Sequence, residues 1–133
     1  RKAVEHEMQR YHRYRPRVSA RDVYATVAPH IDVVHWAGEG WLIPGEIMHA
    51  ASHGIHSFVI VQPFGCMPNH IFGRGVTRIV KDAYPDIQVL SLDFDPDTSM
   101  GNIENRLQML IMNARELEKL RVQGGGQDVS VSA

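Results

Sequence analysis

The chain has 133 residues, with 14 Lys and Arg against 15 Asp and Glu, 8 His and a single Cys. That length suits one domain, and 44% hydrophobic residues supply a core that needs no disulfide or metal staple. One Cys excludes an internal disulfide framework, an all-cysteine zinc site and a self-sufficient iron–sulfur cubane, and a net charge of −1 argues against a whole-domain nucleic-acid binder.

Residues 1–14 read as a polar helix closed by Pro16, and Ser19 suits the N-cap of a second helix over residues 21–28, ended by Pro29. Residues 31–36, Ile-Asp-Val-Val-His-Trp, read as a short strand or a helix continuation; so short a run has no decisive period. Gly38-Glu39-Gly40-Trp41 is a turn, and Pro44 fits the first turn of a helix reaching about His53, with Gly54 at its C′ position. Ser57-Phe58-Val59-Ile60-Val61 is a continuous β-branched apolar run, the mark of a strand buried on both faces. After the loop over residues 62–68, Asn69 suits the cap of a helix whose apolar positions are Ile71, Val76, Ile79, Val80 and Ala83. A second strand is expected over residues 87–92. Asp93 to Asp97 turn the chain, and Thr98 or Ser99 caps a long helix from about Met100 to Leu120 with Ile103, Leu107, Leu110, Ile111, Ala114 and Leu117 on its apolar stripe. Residues 122–133, rich in Gly and Ser, read as a disordered tail or tag remnant.

Helix, strand, helix, strand, helix at this spacing predicts parallel βαβ units in a small α/β domain: a doubly wound, Rossmann-like or flavodoxin-like three-layer fold. With only two clear strands, the expectation is a part excised from a larger protein. The start at Arg1 and the uneven charge point the same way. Residues 1–21 carry seven basic groups against Glu5 and Glu7, a net of +5. They read as a basic helix face on an acidic body, or as an arm for an acidic partner. The expected divisions are a basic helix or linker over residues 1–20, the α/β module over residues 21–121, and the tail. The apolar runs are too short to span a membrane and no secretory signal is visible, so a cytoplasmic protein without membrane or nucleic-acid partners is expected.

Ligands of open α/β sheets collect at the carboxyl ends of the strands, where both polar loops lie. The first presents Gln62, Cys66, Asn69 and His70 at a helix entrance. A thiol there is favoured as thiolate, which serves as a nucleophile with His70 as base or as a soft metal ligand; the plain alternative is a small buried side chain. Gly73 and Gly75 inside the helix cost about 2 kcal/mol of propensity, compensated by close packing on the sheet or by close approach of a cofactor. Asp93, Asp95 and Asp97 alternate as at the start of a calcium loop, but the Gly and distal Glu of such a loop are missing, so turn and cap roles are expected. His49 and His53 have the i, i+4 spacing zinc can use, without the HExxH pattern, so plain surface or half-buried imidazoles are expected.

Gly38-Glu39-Gly40, Glu46, Gln62-Pro63-Phe64-Gly65-Cys66-Met67-Pro68-Asn69-His70, Gly73-Arg74-Gly75, Asp93-Phe94-Asp95-Pro96 and Asn105-Arg106 form an ordered set. Over residues 31–115 it resembles the C-terminal part of acyl-CoA dehydratase activase-related proteins, whose last module is similar to 2-hydroxyglutaryl-CoA dehydratase subunits. The resemblance implies an anaerobic, ATP-dependent activator that drives low-potential electrons toward a [4Fe–4S] centre, with upstream actin-like ATPase and dehydratase-like modules and an acyl-CoA dehydratase as partners. Cys66 matches an iron ligand; Met67 and Asn69 would donate N–H groups to sulfide, and Gly65 and Gly73 would let the backbone approach. His70 and Arg74 would offset the cluster's charge or orient an acyl-CoA, Asn105 and Arg106 would make outer or partner contacts, and Asp93 and Asp95 would fix the loop. The other ligands are missing from this chain, so the cluster is expected in the full-length parent and not in these 133 residues, which would not be an enzyme alone. A binding or scaffold domain with a buried structural Cys is the alternative.

Overall fold

The computed structural model describes residues 2–11, 18–34 and 38–124. In chain order it holds α1 (Lys2–Met8), α2 (Ala20–Val27), α3 (Leu42–Ser52), β1 (Ser57–Pro63), a π-helix (Asn69–Gly75), α4 (Thr77–Ala83), β2 (Gln88–Phe94) and α5 (Met100–Gly124). Pro16 and residues 125–133 of the expected tail lie outside the described residues.

Local chemistry sets most boundaries. Ser19 Oγ accepts from Asp22 N at 3.2 Å and caps α2. α3 ends in a Schellman arrangement: Ile55 N donates to Ala50 O at 3.1 Å, Gly54 N donates to Ala51 O at 3.0 Å, and Gly54 takes φ 81°. Residues 31–34 form neither strand nor helix. His30 N and Ile31 N both close onto Val27 O, and Asp32 Oδ1 accepts from Val34 N at 2.9 Å, so a side-chain turn replaces the expected element.

β1 and β2 pair in parallel from Ser57↔Gln88 to Pro63↔Phe94, joined through the π-helix and α4. The molecule is therefore mixed α/β with the expected parallel βαβ unit. Its sheet has two strands among the described residues. On the face of β1 that carries Phe58, Ile60 and Gln62, the core gathers Ile60 with Val27 and Ile31, with Ile47, Met48 and Ala51 of α3, and with Val80 and Ile87. The other face departs from expectation. Val59 and Val61 are 40% and 57% exposed; α5 is bonded to β2, through Arg106 to Ser91 O at 2.9 Å and Gln88 Nε2 to Leu110 O at 3.2 Å, and to Asp86 O through Arg121 at 2.8 Å. Leu92 and Ile103 are buried there, at 2% and 6% exposure.

Gly45 marks the crossing of α2 and α3. A Cβ built there would lie 2.6 Å from Val23 Cγ1 and 3.4 Å from Val27 Cβ, on two stiff β-branched side chains. Gly45→Ala should therefore lose stability by about 1 kcal/mol net, overpacking of about 1–3 kcal/mol outweighing a helix-propensity gain of about 1 kcal/mol. A urea melt in which the alanine variant is the more stable would contradict this.

Candidate functional site

The site is built at the carboxyl ends of both strands. Phe64 N extends the pairing by donating to Phe94 O at 2.8 Å, and the chain then reverses with Cys66 N donating to Pro63 O at 3.0 Å. Gly65, the third residue of that turn, has φ 73°, a conformation that disfavours any side chain there. Cys66 emerges half-buried, and His70 N donates to its carbonyl at 3.2 Å.

Asn69 does not cap the following helix. Its Nδ2 instead donates to Cys66 Sγ at 3.0 Å. The helix itself opens as a π-helix of seven residues, where an ordinary α-helix was expected. Two contacts account for its width. Gln62, fully buried, donates from Nε2 to Asn69 O at 2.7 Å and so engages the first carbonyl of the ladder. Gly73 lies flat on the sheet, where a Cβ would stand 3.2 Å from Ile60 Cγ2 and 3.7 Å from Ile43 Cγ2. Its absent side chain thus serves close packing on β1. Of the expected apolar face, Val80 on α4 enters the core, while Ile71 within the π-helix and Ile79 on α4 remain about half exposed.

Arg74, at the end of the π-helix, donates from a terminal nitrogen to Asp93 Oδ2 at 2.6 Å. Asp93 is in register with Gln62 across the strand pair, so the two side chains are neighbours on one face. Gln62 Oε1 and Asp93 Oδ1 are both buried without a hydrogen-bond partner among the described residues. Buried acceptors of this kind are costly, so this corner is suited to a hydrogen-bond donor. Arg74 and Gln62 were both candidates at this sheet end, but the full burial of Gln62 and the pairing of Arg74 with Asp93 were not expected. The signal available in the sequence was opposite charge on two segments at the same sheet end.

The remaining expected residues are spread out. Asp95 closes its own turn, accepting from Asp97 N at 2.9 Å and from Thr98 Oγ1 at 3.0 Å, a turn and cap role. Thr98 faces this turn, and Ser99 O accepts from Asn102 N and Ile103 N at the start of α5. Arg106 is held on the Ser91 carbonyl, and Glu39 is exposed in its turn. Met67 is 59% exposed and His70 half-buried. Cys66, Asn69, Gln62, Asp93 and Arg74 thus share the carboxyl end of the sheet.

A [4Fe–4S] cubane takes four thiolates. The chain has one Cys, and among the described residues no group of three or more His, Cys, Asp or Glu side chains converges. The donor set fits one corner of such a cluster and does not fit a self-contained one. No family model, curated protein or solved structure matches the chain. No helix among the described residues is long and apolar enough to cross a membrane.

Proposed function

We propose that this chain is a module of an ATP-dependent activator or electron-transfer protein of the 2-hydroxyacyl-CoA dehydratase system, in a doubly wound domain of a longer cytoplasmic protein. In this reading Cys66 contributes one ligand, and the turn from β1 into the π-helix one wall, to a [4Fe–4S] site completed by other segments. The observation that carries it is the half-buried Cys66 at the carboxyl end of β1, its sulfur accepting from Asn69 Nδ2 at 3.0 Å. An amide donor on a ligating sulfur stabilises the more negative, reduced state and raises the reduction potential. Gly65 keeps the backbone bare beside the thiol, His70 and Arg74 lie on the π-helix that follows it, and the ordered PFGC-x-PNH stretch supports the family reading. The cluster would supply one-electron transfer; this chain's residues would hold one iron and shield it from water. The ATPase modules and the acyl-CoA dehydratase are the partners the reading requires.

Anaerobic reconstitution of the longer protein, wild type beside Cys66→Ser, tests it. The variant should lose iron and change the charge-transfer band; equal iron and an identical band in both would sink the reading. A second reading, a binding domain without a redox centre, is favoured by α5, on which Met109, Ile111 and Met112 are exposed. It predicts an unaltered cluster content and a Cys66 that reacts slowly with thiol reagents.

A further inference from the structure

α3 carries a second arrangement, away from Cys66 and independent of the reading above. His49 and His53 lie one turn apart, and their rings stack with centroids 4.4 Å apart and planes 37° apart. Each ring has its Nδ1 tied to oxygen. His53 Nδ1 lies 2.8 Å from His49 O, which can only accept, so the hydrogen-bond partners assign its proton to Nδ1. Ser52 Oγ, itself donating to His49 O at 2.7 Å, sits 3.1 Å from the same nitrogen. His49 Nδ1 lies 3.3 Å from Thr26 Oγ1 of α2, and that hydroxyl donates to Asp22 O at 3.0 Å, leaving its oxygen to accept. In the neutral tautomer set by these partners, both rings carry the lone pair on Nε2.

We infer that His49 and His53 form a two-imidazole chelate for a late first-row divalent cation (Zn²⁺, Ni²⁺ or Cu²⁺) through their Nε2 atoms. Imidazole nitrogen suits this class of metal, and i, i+4 spacing sets two rings on one helix face. An oxygen acceptor on the far ring nitrogen is the usual companion of a ligating His, because it fixes the tautomer and the ring plane. No third His, Cys, Asp or Glu among the described residues joins the pair. The pair supplies two ligands, and as a two-imidazole site it takes metal reversibly. Thr26, on a different helix, is a positioning residue that links the chelate to the α2–α3 packing.

Zinc titration of the full chain, followed by the ¹⁵N resonances of all eight imidazoles, tests this. The Nε2 signals of His49 and His53 should shift and saturate at one zinc per chain. His53→Gln, at an exposed position outside the core, should weaken binding at least tenfold. Thr26→Val keeps both rings and should weaken it about tenfold. His30→Gln and Cys66→Ser should leave it unchanged. Unmoved Nε2 signals at saturating zinc, equal affinity in His53→Gln and wild type, or loss of the shifts in Cys66→Ser would each overturn the inference.

Discussion

Gln62→Glu should be the most damaging single exchange near the site, and its damage should depend on pH. Gln62 is fully buried, its Nε2 donates to Asn69 O, and its Oε1 already lacks a partner. An ionised carboxylate there has no donor to offer Asn69 O and lies in register with Asp93. Burial disfavours the charged form, so the new carboxyl would titrate higher in the folded protein than in the unfolded chain. The sign follows from linkage: below about pH 4 the group is protonated in both states and can still donate to Asn69 O. As pH rises through the folded-state value the unfolded chain loses its proton first, and the variant falls further behind wild type. A folded-state rise of about three pH units corresponds to about 4 kcal/mol lost at neutral pH. Urea melts of wild type and variant from pH 4 to pH 8 should show a widening gap; a constant gap would mean the side chain finds water.

Met48→Ala should cost about 2–5 kcal/mol, much of the 5–15 kcal/mol typical of one domain. Met48 is fully buried on α3 and belongs to the cluster that joins Val27 of α2 to Ile60 of β1 and Val80 of α4. Removing it opens a cavity where three elements meet, and the stiff side chains of Val27, Ile60 and Val80 are poorly placed to fill it. The urea midpoint should fall with little change in slope. A variant within 1 kcal/mol of wild type would show that the flanking helices collapse into the space.

Punctuation by small and capping residues was legible before the structure. Ser19, Pro44 and Gly54 mark the helix ends they were expected to mark, and the segments read as strands from Ser57 and from Ile87 hold the two parallel strands. What was not legible depends on neighbours remote in the chain. The apolar run of β1 announces a strand but does not say how far a helix will reach across its second face, so Val59 and Val61 were misplaced. The π-helix follows from a buried Gln62 amide and an Ile60 methyl meeting one helix, contacts that no period in residues 69–83 encodes. Of the candidate site, the loop that carries Cys66 at the end of the first strand was legible. The Asn69–sulfur bond and the Arg74–Asp93 pair were not, because each depends on where the widened helix sets its side chains. For the two histidines, spacing was visible; the oxygens behind them, including Thr26 on another helix, were not.

The parallel pairing of β1 with β2 also governs how the chain acquires its fold. Gln88 and Ser57, bonded through their side chains at one end of that pairing, are 31 residues apart. No tight hairpin can bring parallel strands together, so the loop must close before its contacts reward it. α2 and α3, with Gly45 at their crossing, can form earlier from nearer contacts. The turn that presents Cys66 is anchored by the Phe94 carbonyl and is therefore among the last features to set. During synthesis the thiol is born before β2 exists, so the turn that presents it waits for the second strand to supply the Phe94 carbonyl.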